Sequence, residues 1–251
     1  MTTTFAYGDL CARIYDLDKP IGHSFGDVEH YARRLAGVTG PILEPAVGTG
    51  RILIRLLREG LDVRGYDLSE QMLAVCRANG EREGVAAPVS PGDMLTHREP
   101  GGFDAVIVPC GSLILLPDRD AVMVALRNFH ENLAPGGRLI LDVPAPSFDT
   151  GLPPMRHWWD GDDLLTMQTM HVTVDQLAQQ VTQWLRYELW RDDTLVTTQL
   201  QIFRLLWFGL PEFTEMLRAT GFGDIAVVGD YSDDEPTADS GVWTFEAVKP
   251  D

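Results

Sequence analysis

The run Ile42-Leu43-Glu44-Pro45-Ala46-Val47-Gly48-Thr49-Gly50-Arg51 holds the residues whose types and spacing best suit chemistry. An apolar pair feeds a turn of small residues, and a helical pattern begins at once. With side chains pared away, a ligand can approach backbone amides near a helix N-terminus, where unsatisfied N–H groups attract electron-rich atoms. Spacing decides which ligand. A triphosphate loop needs Gly-Lys-Ser/Thr, but Gly50 is followed by Arg51 and Ile52. A dinucleotide fingerprint starting at Gly48-x-Gly50 would place its third glycine at Leu53. That glycine permits close helix–strand packing, so its absence disfavours NAD and an oxidoreductase. The pattern present is acidic-x-small-x-Gly-x-Gly, on Glu44, Ala46, Gly48 and Gly50.

Three further segments follow in order: Asp67 closing the next apolar run, Gly92-Asp93-Met94, and Leu133-Ala134-Pro135-Gly136-Gly137-Arg138-Leu139. Together with the first run they resemble the motifs of the class I S-adenosylmethionine-dependent methyltransferases, strongly over residues 38–144 and moderately over 205–248. The resemblance implies S-adenosylmethionine as cofactor. It implies that Asp67 accepts from the ribose hydroxyls, a favourable charge-assisted pair. It places Leu68 and Met72 near the adenine, and Asp93, beside Met94, on the adenine amino group. Ala46 departs from the family, which usually has glycine there; alanine is the smallest replacement and is expected to narrow the turn without blocking the cofactor. Tyr7–Asp16 also resembles small-molecule methyltransferases, including sugar-amine N-methyltransferases, in which a Tyr-Asp segment folds over the cofactor. That implies a cofactor-facing Tyr15, with a catalytic role open to it as well. Val108-Pro109-Cys110-Gly111 ends the fourth strand where DNA cytosine methyltransferases carry a nucleophile. The remaining motifs of those enzymes are missing, so Pro109 and Cys110 are expected to sit beside the cofactor's methyl group instead.

The expected reaction is methyl transfer to an O, N or S atom of a bulky, partly apolar small molecule, as in natural-product or antibiotic biosynthesis. An in-line displacement needs alignment, desolvation and, for some acceptors, a base. His157, in a Pro-rich connection, and His23, in an N-terminal break, are the candidate bases; an amine or thiolate would need none. Trp158, Trp159, Trp184, Tyr187, Trp190 and Trp207 are the candidate acceptor-lining residues, since five of the six tryptophans fall between 158 and 207. No metal is expected. Asp142 has no acidic neighbour in the sequence, and Asp162-Asp163 and Asp233-Asp234 read as solvated loops. The competing class of function is a regulator or pseudo-enzyme that binds the cofactor without an acceptor cavity.

The elements that must position these groups alternate. Strands at 42–43, 62–66, 87–89, 103–108 and 138–143 are separated by helices at 51–59, 70–79 and 120–132, with Ser69 as an N-cap. Such alternation predicts an α/β fold: a Rossmann-like, doubly wound, mostly parallel seven-stranded sheet. A helical lid is expected over 1–37, the core over 38–149 and 208–251, and an inserted antiparallel β cap of two or three strands over 150–207. The cap is expected to bind the acceptor; the rival use is an edge that pairs two copies into a homodimer. Two closing strands, 225–228 and 242–248, should add an antiparallel edge.

Composition sets the class. The 251 residues suit one domain with an inserted unit. Thirty-seven acidic residues against twenty Lys+Arg give a net charge of −17, which disfavours nucleic acid and anionic membranes as partners. Three cysteines without metal-like spacing suit a reducing compartment. No signal-like segment or membrane-length apolar run is seen, so a cytoplasmic protein is expected.

Overall fold

The sheet follows from which strands are apolar on both faces. β4 (Phe103–Val108) buries Val106 and Val108 on one side and Ala105 and Ile107 on the other, as a strand sandwiched between helix layers must. A computed structural model describes residues 7–251; residues 1–6, where the expected lid starts, lie outside the described residues. Seven strands run in the order β10-β11-β5-β4-β1-β2-β3. These are β1 (Ile42–Pro45), β2 (Val63–Asp67), β3 (Val89–Pro91), β4, β5 (Leu133–Pro144), β10 (Gly223–Gly229) and β11 (Val242–Val248). Only β11 runs against its neighbours. One face packs on α5 (Arg119–Asn132) and α6 (Leu210–Ala219) through Phe129, Leu126, Phe213 and Leu217. The other packs on α2 (Asp27–Leu35) and α3 (Arg51–Arg58) through Tyr31, Leu35, Leu53 and Leu56.

Ser69 caps α4 (Glu70–Arg82), accepting from the Met72 amide at 3.2 Å. The third strand lies two residues later than expected, because it pairs with β2 through Val89, Ser90 and Pro91. Pro135-Gly136-Gly137 is not a free turn. It is a bulge within β5, where the register with β4 jumps from Phe103↔Leu133 to Ala105↔Arg138 and Gly136 takes φ 71°.

The inserted sheet has four antiparallel strands, not two or three: β6 (Arg156–Asp160), β7 (Asp163–Asp175), β8 (Gln180–Arg191) and β9 (Thr194–Leu206). β6 comes from the stretch read as an irregular Pro-rich connection. Its prolines, at 144, 146, 153 and 154, all precede the strand, so they remove no donor from its ladder. Asp163 is likewise no solvated loop residue. It is buried, and Arg13 and Arg191 hold its carboxylate at 2.9 and 2.7 Å. α1 (Asp9–Asp18) is packed against both this sheet and α4, burying Leu10, Cys11 and Ile14 against Leu165, Tyr187 and Phe203.

Candidate active site

β1 lies between β2 and β4, which is where the strand order reverses and where a doubly wound sheet opens a crevice at its carboxyl ends. A cavity of about 1310 Å³ occupies that crevice. Its wall includes Ala46 and Gly48 from the β1–α3 turn, Asp67 and Leu68 after β2, and Met72 from α4. Asp93 and Met94 after β3, and Cys110 after β4, complete that side. Tyr7, Tyr15, Lys19 and Phe25 reach it from the N-terminal segment, and Leu200, Gln201, Ile202 and Arg204 from β9.

The Asp67 carboxylate is held by two backbone amides, from Gly48 at 2.9 Å and Ser69 at 2.8 Å. Burial pushes its carboxyl above the usual range, and those amides oppose the shift. The Ser69 hydroxyl also donates to the Tyr7 carbonyl at 2.8 Å, tying the N-terminal segment to the end of β2. Asp93 accepts from the Leu95 amide at 2.9 Å.

Not every residue of the glycine run touches the cavity. Glu44 lies behind the turn, 2% exposed, and burial pushes its carboxyl well above the usual range. Gly50 is a packing residue: it takes φ 86°, and a Cβ there would sit 2.6 Å from the Cys76 sulfur. Ala46 adopts φ 53°, a left-handed conformation that favours glycine. Pro109 is not on the wall.

At the cavity wall formed by Cys110 and Asp142 lies a polar network whose buried members Arg51 and Asp27 sequence reasoning missed. Arg51 is 4% exposed and forms a bidentate ion pair with the fully buried Asp27. The same guanidinium donates to the His23 carbonyl at 3.0 Å and approaches the Cys110 sulfur at 2.8 Å. Desolvation pushes the Cys110 thiol up to about 12, against the pull of Arg51. Asp142, 1% exposed, accepts from Tyr31 Oη at 3.0 Å and from the Cys110 and Gly111 amides at 2.9 and 2.5 Å. Burial raises its carboxyl to about 6 despite those donors.

The aromatic residues expected on the acceptor wall do not line this cavity. Tyr187 is buried against α1. Trp159 and Trp184 are exposed, the latter edge-on to His171. Trp190 donates to Glu188, Trp207 packs on Phe148, and Trp158 packs in the α1 cluster beneath Arg156. The period of two forces neighbouring positions onto opposite faces, and the strand that reaches the crevice is β9, not β8. His157 is exposed on β6, and His23 packs edge-on against Phe25; neither lines the cavity.

Residues 42–137 match the family model described as "Methyltransferase domain". The chain is 30% identical over 215 residues to the putative methyltransferase YqeM of Bacillus subtilis (strain 168), covering 84% of each. The chain is an S-adenosylmethionine-dependent methyltransferase. Solved structures similar to this methyltransferase include CcbJ from Streptomyces caelestis, with TM-score 0.77 and 21% identity over 98% of each chain. The sugar N-methyltransferase KedS8 from Streptoalloteichus sp ATCC 53650 superposes with TM-score 0.75 and 23% identity, covering 100% of this chain and 98% of that one.

Two of the residues missed carried a signal in the sequence. Arg51 opens α3, a helix with no acid in its first turn, where the dipole disfavours a cation unless a buried anion answers it. Asp142 interrupts the apolar run from Leu139 to Val143, and an ionisable group in a strand buried on both faces needs dedicated partners. Tyr231, on the cavity wall between β10 and β11, carried none.

Proposed function

We propose that this methyltransferase methylates an amine nitrogen of a small natural-product or sugar-like acceptor. The supporting observation is the make-up of the cavity. Carboxylates and tyrosines line it, while among the described residues none of the six histidines does and no metal-binding cluster occurs. A neutral amine brings its own lone pair, so such a wall need only align it and exclude water. The structurally similar KedS8 is a sugar N-methyltransferase, which agrees with that reading.

The residues present fit the cofactor. The cavity exceeds the usual range of ~300–1,000 Å³ for one small ligand, leaving room for cofactor and acceptor together. A Cβ added at Gly48 would meet nothing nearer than the Ala46 carbonyl at 4.0 Å, so the turn is open toward a ligand. S-adenosylmethionine supplies a methyl group already activated on a sulfonium. Asp67 accepts from the ribose hydroxyls and Asp93 from the adenine amino group, with Leu68, Met72 and Met94 forming the apolar slot. Tyr15 and Tyr7 close over that end, held by α1 and by Ser69. Leu200, Ile202 and Arg204 form the acceptor side. Residues 7–37 act as a lid, and the inserted sheet contributes acceptor contacts through β9.

The test is incubation with methyl-labelled S-adenosylmethionine and matched small amines, alcohols and thiols. Label on amines is expected; label confined to alcohols or thiols overturns the atom assignment.

A further inference from the structure

Most arginines of this acidic chain sit in an ion pair: Arg13, Arg34, Arg51, Arg119, Arg138 and Arg191 are examples. Arg204 is an exception, and it lies on the cavity wall. The acids sharing that wall are already committed. Asp67 is held by the Gly48 and Ser69 amides, and Asp93 by Leu95. Asp142 is held by Cys110, Gly111 and Tyr31, and Asp230 by the Gly241 and Val242 amides at 2.8 and 3.2 Å. The other cation on the wall, Lys19, is paired with Asp18 at 2.9 Å and lies 4.4 Å over the Tyr15 ring. Among the described residues the cavity therefore presents one guanidinium, that of the exposed Arg204, with no carboxylate partner, in a protein whose net charge of −17 makes counter-ions plentiful.

We propose that Arg204 is an anion-recognition residue, and that the acceptor carries an oxyanion, phosphate or carboxylate, apart from the atom that is methylated. This rests on the assignment of the β9 side to the acceptor. A guanidinium offers a planar fork of N–H donors that matches both kinds of oxyanion bidentately. β9 is the edge strand of the inserted sheet and packs along the 3-10 turn Ser112–Leu115 that follows β4. That contact fixes the strand carrying Arg204 beside the same strand ends that carry Cys110. Recognition by charge also suits an acidic protein. The field of the whole chain repels anions, so a local cation is needed to admit one.

Calorimetric titration with two probes, inorganic pyrophosphate and succinate, tests this at low salt on the full chain, with and without S-adenosylhomocysteine. At least one probe is expected to bind saturably and to weaken as salt is raised. Arg204→Gln should lower that affinity by about tenfold or more, the loss expected for one charge-assisted bond. Arg127→Gln, an exposed arginine of α5 outside the cavity, should bind the probe as the native protein does. Pyrophosphate binding alone indicates a phosphorylated acceptor, and succinate binding alone a carboxylated one. Failure of both probes to saturate the native protein overturns the proposal, as does equal affinity in Arg204→Gln. Neither probe contains an amine, so failure of the amine assignment leaves this result standing. S-adenosylhomocysteine titration of the same samples reports on the cofactor side separately.

Discussion

Arg51, the first residue of α3, is paired in the protein interior with Asp27, the first residue of α2. The bond joins the N-terminal helices to the turn that carries Gly48 and Gly50. The pairing holds the Asp27 carboxyl below the usual range and raises the guanidinium, even though burial opposes both. Arg51→Leu leaves a buried carboxylate alone and should cost about 3–5 kcal/mol in urea unfolding. The double variant Asp27→Asn/Arg51→Leu should recover part of that loss. Strictly additive effects would show that the pair is not coupled.

Asp67→Ala is expected to weaken S-adenosylhomocysteine binding by about 1.5–3 kcal/mol, the range for hydrogen bonds to a charged group. Calorimetry on the folded variant checks it. Unchanged affinity would remove Asp67 from the cofactor site.

Asp142 gives stability a pH dependence of definite sign. Its native carboxyl is raised from 3.8 to about 6, so the folded chain holds the proton longer than the unfolded one. The contribution is full below 3.8 and is lost as pH rises through about 6. Asp142→Asn cannot ionise, so its stability curve between pH 4 and 7 should be flatter by up to about 3 kcal/mol. An unchanged slope would show that Asp142 does not titrate in that window.

Ala46 sits at φ 53°, where a Cβ is strained. Ala46→Gly should stabilise the protein by up to about 1 kcal/mol, relief of left-handed strain outweighing the extra chain entropy. Denaturant unfolding decides; a loss of stability would mean that the turn is relaxed as it stands.

Turnover should persist in EDTA, since the proposed chemistry needs no Lewis acid. Activity lost to EDTA and restored by magnesium would overturn this.

The core alternation of strands and helices, the glycine turn, and the positions of Asp67 and Asp93 could be read from sequence because each is a local pattern. Period and turn chemistry act over a few residues, and Asp67 and Gly48 meet because adjacent parallel strands β1 and β2 end together. β6 was hidden by prolines that lie just outside it, and the β5 bulge by a turn-like Pro-Gly-Gly.

The sequence by itself determined the family, the cofactor and the parallel core, through residues that work within one strand–turn–helix unit. Only the tertiary structure decided which face of the inserted sheet meets the crevice. That choice depends on register against α1: once Tyr187 and Phe203 bury themselves on Leu10 and Ile14, the strand period fixes the orientation of the rest. It likewise decided that Arg51, Asp27, Cys110 and Asp142 form neighbouring contacts. Their partners lie 24 to 111 residues apart, and no local rule links residues so far apart in the chain.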